Sequence, residues 1–271
     1  MVSIFFSGSF GIVDNNSSDS TVSIVKNHCL FSSITLIQNP VNIGYVRNIR
    51  KALSLGFREF TALCSSNDIL YSQYLEKLFS LHNANTALTY ALCDFYIDGK
   101  FKNRAHPENY FSTKDMSRRD SCAEVMKKFT YSAPFWGLYK KDILTKMSSF
   151  PFNRGGDHVH VAEASLLGDI RRYDEPMFKR NFPPGRTPAH FAFLENDQQL
   201  NITDVNHKFG WHKFPTIALL RSHHIMIRRA FIREEEKDDL FAIAAATFSR
   251  RFEAQLIKEI NSLESFDPHA F

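Results

Sequence analysis

Apolar and polar residues alternate with two different periods between residues 11 and 100 of the chain. Short apolar runs that are typical of buried strands occur in "FGIVD", "SITLIQN", "EFTALCS" and "TALTYALCDFYID". Segments with apolar residues at helical spacing separate these runs: "DSTVSIVKNH", "YVRNIRKALSLG" and "LYSQYLEKLFSLHN". Strands that alternate with helices predict an α/β fold with a mostly parallel sheet and flanking crossover helices.

The remainder of the chain is predicted to be mainly helical. Helices are expected in "KKDILTKM" and "GGDHVHVAEASLLG", followed by a strand in "DIRRYDEPMFKRNF". Beyond about residue 190 no strand pattern remains, and helices are predicted at 214–232 and 238–264. The last helix carries an apolar residue at every fourth position: Leu240, Ala244, Phe248, Phe252, Leu256 and Ile260. We therefore expect an α/β domain over residues 1–188 and a C-terminal helical region over residues 189–271.

Composition excludes several classes of protein. Among 271 residues, 44% are hydrophobic, which is enough for a packed core and argues against disorder. The net charge of +4 is too mild for a dedicated nucleic-acid binder, and the four cysteines are too scattered for a zinc site. No apolar stretch is long enough to span a membrane, and "MVSIFFSGSF" lacks the features of a signal peptide. These observations predict a cytoplasmic protein.

The first candidate for chemistry is Asp14, on which the strand "FGIVD" ends. Small polar residues follow it in "NNSSDST". In α/β proteins a strand end followed by a polar loop and a helix is where ligands bind. The alternative is that Asp14 and Ser17 only start a turn and cap the next helix.

Four motifs follow one another in a particular order: "VDNNSSDST", "NIGYVRNIRKAL", "CSSNDIL" and "GGDHVHVAEASLLG". This order resembles the family 2 glycosyltransferases, which use the GT-A fold, over roughly residues 10 to 185. The first two motifs match well, the fourth matches fairly and the third poorly. The resemblance implies an inverting enzyme that moves a sugar from a nucleotide-sugar donor to a hydroxyl group of a glycan or lipid-linked acceptor. Many relatives act in the synthesis of surface polysaccharides.

The same resemblance implies a donor site at Asp14, Asn42, Arg47 and Asn67. Asp14 would accept hydrogen bonds from the base or ribose, and Asn42 would shape the turn before a helix. Arg47, near the start of that helix, would face the diphosphate, to which a guanidinium is well suited. The alternative for Arg47 is a solvated surface arginine.

A divalent cation, Mg²⁺ or Mn²⁺, is also implied, because the donor diphosphate normally needs one and carboxylates bind it. "SSND" (residues 65–68) stands where the family carries its acid cluster, and Asp68 is the carboxylate in it. Asn67 would add a carbonyl oxygen. A single charge predicts weaker metal affinity and leaves metal dependence open. Asn67 and Asp68 can also be an ordinary helix cap.

Asp157 matches the family's general base, which takes the proton of the acceptor hydroxyl. The alternative is an ordinary cap at a helix N-terminus. His158 and His160 diverge on a helix and make a poor metal pair, so structural roles are expected, with contact between His158 and the substrate as the alternative. Trp136 falls in the acceptor-side loop of the family, where its ring would stack on a sugar; the alternative is a buried core position.

The first residues depart from the family pattern. A strand, a loop and a helix should precede the "VDNNSSD" strand, whereas only "MVSIFFSGS" does so here. Parallel neighbours need a crossover of about a dozen residues or more, so "VSIFF" and "FGIVD" are not expected to pair in parallel. The missing unit normally closes over the base. The absence of this unit and the single carboxylate in the acid cluster support an alternative function: a degenerate, inactive GT-A domain that binds nucleotide or a partner.

A basic amphipathic segment lies at 205–233, where every charged residue is positive: Lys208, Lys213, Arg221, Arg228, Arg229 and Arg233. Ile217, Leu220, Ile227 and Phe231 recur in it at helical spacing. Such a helix can bind anionic lipid, which predicts peripheral contact with the inner face of the cell membrane. The alternative is that the apolar stripe packs on the protein itself.

Overall fold

The computed structural model describes residues 2–5, 9–55, 58–104, 108, 110–148, 150–151, 155–182 and 214–263. The strands form one nine-stranded sheet. They are β1 (Val2–Phe5), β2 (Ser9–Asp14), β3 (Ile34–Gln38), β4 (Phe60–Cys64), β5 (Asp68–Leu70), β6 (Thr86–Ile97), β7 (Lys100–Arg104), β8 (Leu138–Lys140) and β9 (Asp169–Phe182). The α-helices of the described part are α1 (Thr21–Lys26), α2 (Tyr45–Ser54), α3 (Tyr74–Ser80), α4 (Arg118–Lys128), α5 (Lys141–Lys146), α6 (Gly156–Leu167), α7 (Pro215–Arg229), α8 (Lys237–Arg251) and α9 (Glu253–Leu263).

The sheet has the order β3-β2-β1-β4-β8-β6-β9-β5, and β7 pairs with β6. The pairs β2–β3 and β6–β9 are parallel, and the other pairs are antiparallel. The strands β2, β3, β4 and β6 therefore all run in one direction, as the alternating pattern predicts. The sheet is nevertheless mixed rather than mostly parallel, because β1 and β8 are inserted between these strands in the opposite direction.

The first strand confirms that the two N-terminal apolar runs are not parallel neighbours. β1 pairs antiparallel with β2, with Val2 opposite Ile12. It also pairs antiparallel with β4, with Val2 opposite Cys64. β1 thus fills the position between β2 and β4.

The centre of the sheet is buried by continuous apolar runs. Every residue of β4 is buried, as are Thr86–Phe95 of β6. A strand that is covered on both faces has a continuous apolar run in its sequence rather than an alternating pattern of apolar and polar residues. On α2 the buried residues Val46, Ile49 and Ala52 recur at helical spacing and join the same hydrophobic core.

The C-terminal helices share this core. Ala218, Met226 and Ile227 of α7 are buried, and α7 packs against α6 and α8. In the apolar stripe of the predicted membrane segment, Ile227 is buried, Ile217 and Leu220 are half-buried, and Phe231 is exposed. No helix among the described residues combines the length and the apolar character needed to cross a membrane. The expected boundary at residues 188 and 189 lies outside the described residues and stays a prediction.

The long helix predicted at 238–264 is two helices, α8 and α9, which meet at Phe252. Leu240, Ala244 and Phe248 of the predicted stripe are buried in α8. Ile260 in α9 is 51% exposed. The interruption at Phe252 therefore divides the stripe, so that only its first half lies fully in the core.

Candidate active site

Asp14 is the last residue of β2, and its buried carboxylate organises the loop that follows. It accepts hydrogen bonds from the backbone N–H of Ser17, at 3.1 Å, and from the Ser17 hydroxyl. Asp14 therefore does start a turn. It does not cap α1, since Thr21 at the start of that helix donates its N–H to Asp19 instead, at 2.9 Å.

Asparagine side chains connect this loop to the start of α2. Nδ2 of Asn15 donates to Oδ1 of Asn42 at 2.8 Å, and Oδ1 of Asn15 accepts from the N–H of Ile43 at 3.0 Å. Oδ1 of Asn42 also accepts from the N–H of Gly44, whose φ of 80° is in the left-handed region that favours glycine. The structure thus brings Asp14 and Asn42 together through Asn15.

A second layer of this network is buried and was missed by the sequence reasoning. Nδ2 of Asn39 donates to Oδ1 of Asn48 at 2.9 Å, and Oδ1 of Asn39 accepts from Nζ of Lys51 at 2.6 Å. Nδ2 of Asn48 donates to the backbone oxygen of Val13 at 3.4 Å. The signal that was available is a polar residue, Asn48, on the otherwise apolar face of α2.

Arg47 is exposed in the first turn of α2, close to the Asn42 turn. Its charge acts on Arg50, whose pKa is lowered first by burial and then by Arg47. Nε of Arg50 in turn donates to the backbone oxygen of Phe150 at 2.6 Å. This position is compatible with both alternatives for Arg47, and contact with a diphosphate stays a prediction.

Asp68 begins β5 and lies opposite Arg180 of β9. Oδ2 of Asp68 is 3.7 Å from Nε of Arg180, and the two side chains are 4% and 14% exposed. Burial raises the pKa of Asp68 to about 6, although Arg180 and the N–H of Asn181 act in the opposite direction. The helix-cap alternative is wrong, because Asp68 lies in a strand and α3 begins only at Tyr74. Asn67 is exposed beside Asp68.

Asp157 is the second residue of α6, and two glycines place it there. Gly155 has a φ of 73°, and a Cβ atom on Gly156 would lie 2.6 Å from the ring of Phe150. The Asp157 carboxylate accepts a hydrogen bond from the N–H of His158 at 3.0 Å within the first turn, whereas the N-cap residue of the helix is Gly155. Burial raises the pKa of Asp157, while the His158 N–H and the charge of Arg180 lower it.

Arg180 joins these acidic residues into one group, although no sequence motif marks it. Its charge acts on both Asp68 and Asp157. Its guanidinium lies 5.6 Å from the ring centroid of Trp136 and donates a hydrogen bond to Ser132. Tyr45 at the start of α2 belongs to the same group, since burial and then the charge of Asp157 raise its pKa.

Trp136 is buried, and its ring packs edge-on against Phe135 with centroids 4.9 Å apart. Of the two alternatives for this residue, the structure shows the core position. The indole Nε1 is nevertheless buried without a hydrogen-bond partner. His158 and His160 are also buried among aromatic rings, as expected for structural residues.

The described residues do not fit a protein-built site for Mg²⁺ or Mn²⁺. They contain no group of three or more His, Cys, Asp or Glu side chains that would hold a metal ion. Asp68 is a single carboxylate, and the cation beside it is Arg180. Burial raises the pKa of the neighbouring Cys64 thiol to about 12, which keeps this side chain protonated and unsuited to metal binding.

The model of glycosyl transferase family 2 matches residues 10–145, half of the chain. The chain belongs to this family. The match includes Asp14, Asn42, Asp68 and Trp136, whereas Asp157 lies beyond it. Family 2 membership confirms the resemblance and the GT-A fold that were inferred from the order of the motifs.

Solved structures show the same fold. The structure of S. aureus TarS has a TM-score of 0.58 at 15% identity, over 89% of this chain and 37% of TarS. S. aureus TarS 1–349 in complex with UDP has a TM-score of 0.50 at 14% identity, over 93% of this chain and 82% of that one. This chain thus spans little more than a third of the first of these structures. No curated protein sequence matches the chain.

Proposed function

We propose that this chain is an inverting glycosyltransferase that moves a sugar from a nucleotide-sugar to a hydroxyl group of a glycan or lipid-linked acceptor. The observation that carries the proposal is the group formed by Asp68, whose Oδ2 lies 3.7 Å from Nε of Arg180, and by Asp157 at the start of α6, on which the charge of Arg180 also acts. Family 2 membership supports the reaction class.

Asp157 is the general base of the proposed reaction. The acceptor oxygen attacks the anomeric carbon from the side opposite the diphosphate, so that the configuration inverts. The bond from that carbon to the diphosphate oxygen breaks, and its electron pair stays on the diphosphate. The hydroxyl proton passes to Asp157. The burial that raises the pKa of Asp157 makes its carboxylate a stronger base.

The donor site is proposed at the end of β2 and the start of α2. The buried carboxylate of Asp14 is assigned to the base or ribose, together with Asn42, which Asn15 connects to the same loop, and the exposed guanidinium of Arg47 is assigned to the diphosphate. Asn67, exposed after β4, is assigned to the donor as well. The UDP complex of S. aureus TarS supports a UDP-sugar as the first donor to test. For the acceptor, the unpartnered Nε1 of Trp136 offers a hydrogen bond to a sugar hydroxyl. The proposal includes no metal step, because the described residues do not fit a metal site.

We place the enzyme in surface polysaccharide synthesis, at the inner face of the cell membrane. Phe231, which follows α7 and is 73% exposed, is the proposed point of lipid contact, with the exposed Arg229 beside it. Arg228 and Arg233 of the same segment are paired with Asp238 and Glu236. The proposed contact is therefore smaller than the whole basic segment.

The test is a screen of nucleotide-sugars, with release of the nucleoside diphosphate as the measurement. Turnover in Asp157→Asn should fall about 10²-fold or more while donor binding is kept. Asp142→Asn is the matched control, because Asp142 is an exposed acid in the first turn of α5. NMR of the anomeric proton of the product reports inversion.

The outcomes of this screen separate the two functions. Wild-type turnover in a folded Asp157→Asn variant contradicts the assignment of the base. Nucleotide binding without turnover of any donor supports the alternative, an inactive domain that binds a nucleotide or a partner.

A further inference from the structure

The positive charge beside the Asp68 carboxylate in the candidate site is a protein side chain, the guanidinium of Arg180. Nε of Arg180 lies 3.7 Å from Oδ2 of Asp68, the position at which family 2 members are expected to hold a cation. A divalent cation bound to this oxygen would stand within a few ångströms of the guanidinium. In a buried setting two positive charges at such a distance repel strongly. Arg180 and a bound cation therefore compete for the same carboxylate.

The Arg180 guanidinium is held in place but keeps unused hydrogen-bonding capacity. Ser132 accepts one of its hydrogen bonds, and Cζ of Arg180 lies 5.6 Å from the ring centroid of Trp136 and 5.7 Å from that of Phe182. Three buried atoms in this place lack hydrogen-bond partners: Arg180 Nε, Asp68 Oδ2 and Trp136 Nε1. Buried polar atoms are rarely left unpaired, so the two donors, Arg180 Nε and Trp136 Nε1, indicate a site for an oxygen-rich ligand. Asp68 Oδ2 is an acceptor and stands in the ion pair with Arg180.

We infer that Arg180 binds the diphosphate of the donor in place of a divalent cation, so that donor binding and transfer need no metal. The inference rests on the proposed function. A guanidinium donates several hydrogen bonds in a plane that matches phosphate oxygens. When the anomeric C–O bond breaks, the electron pair moves to the diphosphate, and the fixed charge of Arg180 stabilises it there. No additional reactant is required, and the proton still passes from the acceptor to Asp157.

The experiment is titration calorimetry of UDP into the full chain, in EDTA and in MnCl₂, together with donor turnover under both conditions. The variants are Arg180→Gln, Arg180→Lys and the control Arg171→Gln. Arg171 is a matched control because it lies on the same strand, is 19% exposed and is paired with Asp169 at 3.1 Å. Thermal unfolding of each variant reports whether it is folded.

Wild-type protein and Arg171→Gln should bind UDP equally well in EDTA and in MnCl₂. Arg180→Gln should bind UDP roughly 10- to 100-fold more weakly in EDTA, as expected for the loss of a charged hydrogen bond. Arg180→Lys, which keeps the charge without the planar fork, should be intermediate. MnCl₂ should partly restore binding to Arg180→Gln, because the free Asp68 carboxylate then accepts the cation.

The wild-type titration alone can overturn the inference, whether or not the variants fold. If wild-type protein binds UDP only with MnCl₂, Arg180 does not replace the metal, while the proposed function stands. If UDP binds in EDTA through Arg180 and no donor is ever turned over, the binding part of the inference holds, while its transfer part and the proposed function fail. Absence of UDP binding under both conditions overturns the inference as well.

Discussion

Nδ1 of His158 lies 2.8 Å from Nε2 of His223, and this hydrogen bond joins α6 to α7. Both imidazoles are buried, next to Phe248 of α8. Burial lowers the pKa of His223 to about 3. It also lowers the pKa of His158, with further contributions from His223 and Arg251. The helix that carries Asp157 is thus attached to the C-terminal region by two neutral histidines.

This attachment should weaken as the pH falls. The unfolded chain protonates His223 near pH 6.5, whereas the folded chain resists protonation until about pH 3, so stability that is present above pH 6.5 is lost on acidification. Between pH 7.5 and pH 5 the loss should be about 2 kcal/mol for this residue. Burial raises the pKa values of Asp68 and Glu163 to about 6, so the contributions of these two residues to stability change with pH in the opposite direction. Variants must therefore be compared at each pH.

Urea unfolding at both pH values measures this effect. The decrease in the free energy of unfolding should be smaller in His223→Gln than in wild-type protein. His28→Gln, at an exposed histidine, should match the wild type. An equal decrease in all three proteins would show that His223 does not titrate in this way.

At the proposed donor site, Asp14→Ala should weaken UDP binding by about 1–3 kcal/mol, the cost of a lost buried hydrogen bond to the ligand. Because Asp14 also holds Ser17, the control is Ser17→Ala, which removes the bond between the two side chains but keeps the carboxylate. Its effect should be below about 1 kcal/mol. Titration of UDP into both variants, with and without MnCl₂, measures the difference. Unchanged affinity in Asp14→Ala would remove this residue from the donor site.

Two members of the same apolar stripe should differ sharply in their contribution to stability. Phe248 is fully buried in α8, so Phe248→Ala should lower the free energy of unfolding by about 3–5 kcal/mol. Ile260 in α9 is 51% exposed, and Ile260→Ala should change the free energy of unfolding by no more than about 0.5 kcal/mol. Urea unfolding compares the two variants. Similar losses would mean that α9 is packed as firmly as α8.

Membrane contact is tested by sedimentation with vesicles. Wild-type protein should bind vesicles that contain anionic lipid at low salt, because each basic residue near such a surface contributes about 1 kcal/mol. Salt should release it, and neutral vesicles should not retain it. Binding should decrease in Arg221/Arg228/Arg229→Glu and in Phe231→Ala, but not in Phe79→Ala, which changes an exposed phenylalanine on α3. Wild-type protein that stays in the supernatant at low salt contradicts the proposal.

Local periodicity was sufficient to predict the elements that bury one face or both. The apolar runs became β2, β3, β4, β6 and β9, and the helical patterns became α2, α3, α6 and α7. The predicted helix α1 also forms, although none of its residues is buried. The order of four motifs was sufficient to identify the family, since a strand end followed by a polar loop is a local feature. It also located Asp14 at the end of β2 and Asp157 in the first turn of α6.

The remaining features depend on contacts between residues that are far apart in the chain. The antiparallel position of β1 follows from pairing with both β2 and β4, which no local pattern contains. Arg180 meets Asp68 because β5 pairs with β9, and Trp136 is buried because other elements cover its ring. A sequence period reports which side of an element is apolar, but not which distant side chain will lie against it. For this reason the acids were predictable from the sequence, and their cationic partner was found only in the folded chain.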